Sequence, residues 1–204
     1  MIRLLYEVVR EELCNKKEAL MLCRYFYLFF SLTVLLINTA KAEAMLIDDF
    51  SDISERRWEF ISDQVMGGVS TGMVEYKTEQ GISSALIKGR VSTANNGGFI
   101  QIRTDIDKPE TVALSGLYIK ARGNTQRYYL FLRTAFTLLP WQYYQASFEV
   151  TEDWQVFQLP LSLFVPSSRW LPNKVQSKAI RSLGIVAFGR DHDATVEVAE
   201  VGFF

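Results

Sequence analysis

The chain has 204 residues, of which 49% are hydrophobic and 22% are charged, with 22 basic and 23 acidic side chains. This length and composition are typical of one globular domain with a sizeable core. The formal net charge of −1 argues against a nucleic-acid-binding protein and against charge-driven binding to an anionic membrane, since both need a basic surface.

Residues 1–44 have the pattern of an export leader. Arg24 precedes the apolar run 25–37, "YFYLFFSLTVLLI", which is short for a membrane span. Small residues spaced for a signal peptidase follow at Ala40, Ala42 and Ala44. We therefore expect cleavage between Ala42 and Met45 and a periplasmic or extracellular domain.

Two alternatives concern the same leader. Residues 1–20 mix four Glu with four basic side chains, which is unlike a mitochondrial transit peptide and makes Met21 a candidate true start. An uncleaved leader would instead anchor the protein in a membrane. Both cysteines, Cys14 and Cys23, lie in the leader segment 1–44, so the mature domain would have no disulfide and no thiolate metal site.

From residue 46 onward the sequence predicts strands rather than helices. Roughly ten runs are rich in β-branched and aromatic residues, and several alternate between apolar and polar. Clear examples are "GFIQIRT" (98–104), "RYYLFLRTAF" (127–136) and "LGIVAFG" (183–189). Turn clusters separate the runs, so we predict that residues 45–204 form one all-β domain, a two-sheet antiparallel β-sandwich. The proline-containing connection 164–179 is expected to be a surface excursion.

Two glycine-rich loops interrupt the predicted strands. The stretch 63–76, "DQVMGGVSTGMVEY", contains three glycines, and a second loop, "NNGG", occupies 95–98. Neither a helix nor a Gly-Lys-Ser/Thr sequence follows the first loop, so nucleotide binding is not favoured. We expect wide turns in which Gly67 or Gly68 has a positive φ.

The order of several motifs carries a family resemblance. The most specific are "DQVMGGVS" (63–70) and "NGGF" (96–99), accompanied by "DDFSD" (48–52), "WQYYQASF" (141–148) and "WQVFQLPLSLF" (154–164). Together they resemble the complex I intermediate-associated protein 30 family over nearly all of residues 46–204. The resemblance implies a galactose-binding-like jelly roll and a non-catalytic, assembly-factor-like role. The sequence departs from the family pattern at "GNTQRYY" (123–129), where the family commonly has an acidic turn.

The two glycine loops are the candidate partner-binding rim. The resemblance implies that both lie at one end of the sandwich, where they would offer backbone amides and small polar side chains. The predicted rim consists of Asp63, Gln64, Met66, Gly67, Gly68, Ser70, Asn95, Asn96, Gly97 and Gly98. Its partner would be a protein client, such as a respiratory-complex subunit or another membrane assembly. The alternative is that both glycine pairs only turn tight corners.

Aromatic residues indicate a second function. Exposed aromatic rings stack on the apolar faces of sugars, and Trp141, Tyr143, Tyr144 and Trp170 lie on or near predicted loops. An extracytoplasmic carbohydrate-binding module is therefore the alternative function, with a glycan as ligand. Burial in the core is the other explanation of the same residues.

No arrangement of residues predicts an enzyme or a cofactor. His192, in "RDHDA" (190–194), has no nucleophile context and is expected to be a solvated turn histidine. Carboxylate pairs such as Asp191 and Asp193 stand at strand ends, where Asp favours turns. A structural Ca²⁺ near the chain ends could use Asp48, Asp49 or Glu200, but the spacing does not require it, and we predict no metal site.

Overall fold

The computed structural model describes residues 44–52, 57–106 and 114–204. The predicted leader, with its apolar run, both cysteines and the candidate start at Met21, lies outside the described residues, except for Ala44. Within those three ranges, no helix combines the length and the apolar character needed to cross a membrane.

The described ranges form two antiparallel sheets, which confirms the predicted all-β sandwich. The strands are β1 (Met45–Asp48), β2 (Glu59–Ser62), β3 (Thr71–Glu79), β4 (Ile82–Val91), β5 (Phe99–Asp105), β6 (Gly116–Gly123), β7 (Arg127–Thr134), β8 (Tyr144–Glu149), β9 (Gln155–Pro160), β10 (Val165–Pro166), β11 (Ile180–Phe188) and β12 (His192–Phe203). The first sheet has the order β3-β4-β12-β6-β9, and β1 also pairs with β12. The second has the order β10-β8-β7-β11-β5-β2.

Alternation along the strands divides the side chains of the second sheet between the core and its outer face. On β5, Ile100 and Ile102 are fully buried in the core, whereas Gln101 and Arg103 project from the opposite face. Successive strand residues point to opposite faces, so this division follows directly from the sequence. The outer face of the second sheet therefore carries the intervening polar and aromatic residues.

The connection 164–179 is more than a surface excursion. Phe164, Leu171 and Val175 are buried and belong to the core. The Tyr144 hydroxyl also donates a hydrogen bond to the Pro172 carbonyl at 2.9 Å. The prediction of a surface excursion is wrong at these residues, because their apolar side chains anchor the segment against the core of the sandwich.

A candidate binding groove beside a buried aspartate

Asp63 begins a 3₁₀ turn, Asp63–Met66, and its side chain is buried. Its Oδ1 accepts a hydrogen bond from the Ser70 backbone N–H at 2.9 Å, and its Oδ2 accepts one from the Ser70 hydroxyl at 2.5 Å. Oδ2 also accepts from the backbone N–H groups of Gly98 at 2.6 Å and Phe99 at 3.3 Å. The carboxylate thus joins the two glycine loops, residues 63–70 and 92–99, which we call the Asp63 corner.

The glycines of the corner serve two different purposes. A Cβ at Gly68 would lie 2.3 Å from Asp63 Cγ, and one at Gly97 would lie 2.3 Å from Asp63 Oδ2, so both positions must leave room for the carboxylate. Gly67 has open space around it but a φ of 89°, in the left-handed region. This confirms that one of Gly67 and Gly68 has a positive φ.

The Asp63 carboxyl is stabilised in its charged form. Burial raises the pKa of Asp63, but the hydrogen bonds from Ser70, Gly98 and Phe99 outweigh burial, so the pKa lies below its ordinary value. The Ser92 backbone N–H donates a hydrogen bond to the Ser70 hydroxyl oxygen at 3.0 Å, which extends the network into the loop 92–99. The corner is therefore held by charge-assisted hydrogen bonds inside the fold.

The structure brings the predicted rim residues together but buries the polar ones at its centre. Asp63 and Ser70 were expected to be exposed, and this expectation is wrong because the Asp63 oxygens already accept hydrogen bonds from both loops. Buried members are Asp63, Gly68, Ser70 and Gly98; Gly97 is partly buried; Gln64, Met66, Gly67, Asn95 and Asn96 are exposed. Between the buried anchors, the 3₁₀ turn presents apolar side chains, with Val65 76% and Met66 56% exposed.

A groove of about 290 Å³ lies on the outer face of the second sheet, next to the Asp63 corner. Its floor is the middle of β11, where Gly184 pairs with Arg103 of β5 on one side and with Phe131 of β7 on the other. A Cβ at Gly184 would lie 2.8 Å from Gln101 Oε1 and 3.6 Å from Phe131 Cβ. The missing side chain at this position therefore creates the depression between the neighbouring strands.

Aromatic side chains form one wall of the groove. The rings of Phe131 and Tyr143 are stacked, with centroids 4.0 Å apart and planes inclined by 9°. Phe188 meets Phe131 edge-on at 5.3 Å and 71°. Burial raises the pKa of the Tyr143 hydroxyl, so it is neutral at physiological pH. Such mutually packed rings give a preformed wall, which is favourable for binding.

The edge of the groove is apolar where it meets solvent. Val65 and Met66 line it from the Asp63 corner, and Trp141, 59% exposed, lines it from the loop before β8. We call these three residues the apolar edge. Large apolar side chains exposed around a concave site are a common feature of interaction surfaces.

The far end of the groove is basic. Arg103 and Arg133 line it, and the surface continues into a second hollow of about 310 Å³ that also includes Arg181. The Nη2 of Arg133 donates to the carbonyl oxygens of Thr137 and Leu139, each at 3.2 Å. The site thus combines an apolar edge, an aromatic wall and an arginine cluster.

Comparison with known proteins decides the family. A family model described as Complex I intermediate-associated protein 30 matches residues 48–198. The chain belongs to this family. That result confirms the resemblance seen in the motifs, and the Asp63 corner contains the two most specific of them. A search of the curated proteins finds no significant match.

Solved structures with the same fold include carbohydrate-binding modules. The family 11 module of cellulase Lic26A-Cel5E from Clostridium thermocellum has a TM-score of 0.65 at 10% identity, covering 79% of this chain and 94% of that one. The family 11 module from Clostridium thermocellum in complex with a β-1,3-1,4-mixed-linked tetrasaccharide has a TM-score of 0.63 at 10% identity, covering 79% and 95%. An exo-β-agarase matches at 0.51 and 12% identity, covering 78% of this chain and 25% of its own. At these identities the likeness shows the fold alone.

The four predicted aromatic residues of this Complex I intermediate-associated protein 30 domain do not form one platform. Trp141 and Tyr143 line the groove, but Tyr144 is 1% exposed and belongs to the core, so its assignment to the platform is wrong. Trp170 is exposed and lies under the Arg169 guanidinium, 5.1 Å from the ring centroid, outside the groove lining. Tyr143 directly precedes Tyr144, the first residue of β8, and consecutive side chains of an extended chain point to opposite faces.

Most of the groove lies outside the sites predicted from the sequence. The lining residues that belong to no predicted site include Val65, Phe99, Gln101, Arg103, Phe131, Arg133, Ser182, Gly184 and Phe188. A signal was present, since most of them alternate with core residues on β5, β7 and β11. They could have been found by following the face opposite the core on adjacent strands.

His192 is not a solvated turn residue, and that prediction is wrong. It is the first residue of β12, and its Nδ1 lies 2.8 Å from the Arg190 carbonyl oxygen. Nε2 is buried without a hydrogen-bond partner in the described part of the chain. Burial lowers the pKa of His192 below its ordinary value, so the ring is neutral at physiological pH.

The carboxylates considered for Ca²⁺ have protein partners. Asp48 Oδ2 accepts a hydrogen bond from Trp58 Nε1–H at 2.9 Å, and Glu200 Oε1 accepts one from the Tyr118 hydroxyl at 2.7 Å. Asp49 accepts from the Ser51 hydroxyl at 2.6 Å. No group of three His, Cys, Asp or Glu side chains suited to share a metal ion occurs among the described residues.

Proposed function

We propose that this domain is a non-catalytic binding protein that holds an exposed apolar segment of a client protein in the groove. The apolar edge carries the proposal, because Val65, Met66 and Trp141 are exposed beside a preformed aromatic wall. A client side chain that enters the groove would remove these residues from water, which is the main favourable term in protein association. Family membership supports a client from a membrane assembly such as complex I.

The chemistry of the groove supports binding rather than turnover. Its lining consists of apolar, aromatic, amide, small and arginine side chains. Such groups give shape and charge complementarity, and they position a partner without transferring a proton at neutral pH. The Asp63 carboxylate, which has the charge for acid–base chemistry, is enclosed by hydrogen bonds from Ser70 and Gly98.

Site-specific photo-cross-linking tests the proposal. A photoreactive phenylalanine derivative placed at position 66 should cross-link one discrete client in native membranes. The same group at position 156 is the matched control, because Val156 is 60% exposed on β9 of the first sheet. The client, once identified by mass spectrometry and purified, should bind the wild-type protein at least about tenfold more tightly than Gly184→Val, which fills the groove floor. Equal labelling at both positions, or equal affinity for the variant, would reject the proposal.

We also propose that the protein meets this client outside the cytoplasm, after cleavage between Ala42 and Met45. The proposal is supported by the uncharged run 25–37 and the small residues that follow it. The intact mass of protein from the native cell should correspond to a chain beginning between Glu43 and Met45. Recovery from the membrane of a species that retains residues 25–37 would show an anchored protein instead.

Carbohydrate binding is the second candidate function. It is favoured by the stacked rings of Phe131 and Tyr143 next to the exposed Trp141, since aromatic rings bind sugars by stacking. Protein binding ranks first because Val65 and Met66 offer no ring face to a sugar. A saturable signal on a glycan array that Trp141→Ala or Tyr143→Ala abolishes would reverse this order.

A further inference from the structure

We propose that the client segment is an extended peptide that carries an acidic side chain next to a large apolar one, and that Arg133 binds the acid. The inference rests on the proposed function and specifies the chemistry of its partner. The apolar side chain would occupy the depression over Gly184, beside Phe131. The carboxylate would lie at the arginine end, which we define as Arg103 and Arg133 of the same groove together with Arg181 of the adjoining hollow.

The charges of the groove are unevenly distributed. The aromatic wall and the apolar edge are uncharged, whereas all three guanidinium groups are found at the arginine end, together with the carboxylate of Asp105. Glu59 adds a second carboxylate through its contact with Arg103 at 3.1 Å. Three positive and two negative groups leave this end of the groove positive, which favours an acidic ligand.

Arg133 is positioned to receive a carboxylate. Its Nη2 is held by the carbonyl oxygens of Thr137 and Leu139, which fix the side chain without neutralising it. Within the described ranges, no carboxylate forms an ion pair with Arg133, in contrast to the Arg103 pair with Glu59. A planar guanidinium that is already oriented binds a carboxylate through two parallel N–H groups at a reduced entropic cost.

The pairing of β7 with β11 explains how one peptide could contact both the arginine end and the aromatic wall of the groove. Arg133 pairs with Ser182 and Phe131 pairs with Gly184, so the basic and aromatic sites lie two residues apart along β7 and β11. Successive residues of a strand rise about 3.3 Å, which places these sites within the span of two or three residues of an extended peptide. The aliphatic Val65 and Met66 favour a peptide over an acidic sugar, since they can pack against apolar side chains.

A selection from a phage-displayed library of random 12-residue peptides tests the ligand chemistry, with the protein expressed from its full sequence as bait. Peptides selected by the wild-type protein should be enriched in Asp or Glu within three residues of Leu, Phe or Trp. Selection with Arg133→Gln should lose the acidic enrichment and keep the apolar one. Arg127→Gln is the matched control, because Arg127 lies on β7, pairs with Glu149 and lines a different cleft.

Fluorescence anisotropy then measures the effect of charge directly. The best acidic peptide should bind roughly tenfold more tightly than the same peptide with Asn or Gln in place of its acid, as expected for a charge-assisted pair. The difference should shrink as salt is raised. Arg133→Gln should remove it, and Arg133→Lys should restore part of it.

A second variant separates charge from folding. Arg133→Gln also loses the bonds to Thr137 and Leu139, so its thermal midpoint must be compared with that of the wild type. The Arg103 side chain contacts Glu59 of β2 rather than loop carbonyl oxygens. Arg103→Gln should therefore leave the loop in place and reduce the preference for the acidic peptide by about threefold. Equal affinity for the acidic and amide peptides in the wild-type protein would overturn the inference.

The library also distinguishes this inference from the proposed function. Selected peptides that lack acidic enrichment, but whose binding Gly184→Val abolishes, would overturn the inference and support the groove as a peptide site. Two results together would overturn both the inference and the proposed function. These are a library that yields no peptide sensitive to Gly184→Val, and binding of the protein to polyuronates on a glycan array.

Discussion

The Asp63 corner and the groove floor around Gly184 are neighbours with opposite arrangements of polarity. In the corner, a carboxylate and a hydroxyl are buried and bonded to backbone amides, and the apolar Val65 and Met66 are exposed. In the groove, aromatic and basic side chains are displayed on a sheet whose other face is the core. The motif with the strongest family signature therefore supports the groove, while less distinctive residues form its lining.

The largest expected effect is on the stability of the corner. Asp63→Ala should lower the free energy of unfolding by roughly 3 kcal/mol or more, because each buried N–H left without an acceptor costs about 1–3 kcal/mol. Ser70, Gly98 and Phe99 each lose an acceptor. Urea denaturation measures the change. The control is Gln64→Ala at the exposed neighbouring position, which should cost less than about 1 kcal/mol. Similar losses for both variants would mean that the Asp63 carboxylate does not stabilise the corner.

The two types of glycine in the corner should respond differently. Gly68→Ala should cost roughly 3 kcal/mol, since its Cβ would overlap the Asp63 carboxylate and force the loops apart. Gly67→Ala should cost about 1–2 kcal/mol. Its surroundings are open, so the only cost is that of holding a residue with a side chain in the left-handed backbone conformation. Thermal and urea melts of the pair decide this. The reverse order would show that backbone conformation, not space, governs the motif.

Changes in the groove should affect binding and leave folding intact. Gly184→Val should weaken binding of the purified client at least about tenfold, and Met66→Ser about fivefold, as expected for a central and a peripheral contact. Neither should cost more than about 1 kcal/mol in urea, because Met66 is exposed and the atom that a Gly184 Cβ would crowd is the end of the flexible Gln101 side chain. Titration calorimetry and melts on the same samples give both numbers. A large loss of stability with either variant would mean that the residue supports the fold, as the Asp63 corner does.

The smallest effect is a change of stability with pH. Hydrogen bonding lowers the pKa of Asp63 in the folded protein, so the unfolded chain binds the proton more readily. The contribution of Asp63 is therefore fully present above the ordinary carboxyl pKa of about 4 and is lost as the pH falls through the lower, folded value. Thermal midpoints from pH 7 to pH 2 should decline in acid, and Asp63→Asn should reduce that decline. An unchanged slope would contradict the assignment.

The fold was largely predictable because alternation along strands has a direct physical cause. Isoleucines two residues apart, as at Ile100 and Ile102, can only face the same side of a sheet. The sequence does not state which strands become neighbours, and the groove depends on β5, β11 and β7 lying side by side. That order is decided by contacts among distant segments.

The candidate site was predictable only in part. The sequence indicates the glycine loops, but it predicts an exposed Asp63, since aspartate side chains are usually exposed. Its burial depends on Gly98 and Phe99, which are far away in the sequence. Tyr143 and Tyr144 show the same limit: alternation requires that they face opposite sides, but only the packed structure assigns Tyr144 to the core.

The position of β12 has a consequence for biosynthesis. This strand is the last in the described chain, yet it pairs with β1, β4 and β6 at the centre of the first sheet. A ribosome therefore delivers β4 and β6 well before the strand that must lie between them. Until β12 arrives, both keep open hydrogen-bonding edges that can pair with other chains. The first sheet cannot be completed until β12 has been made, so a nascent chain that lacks β12 exposes strand edges that favour aggregation.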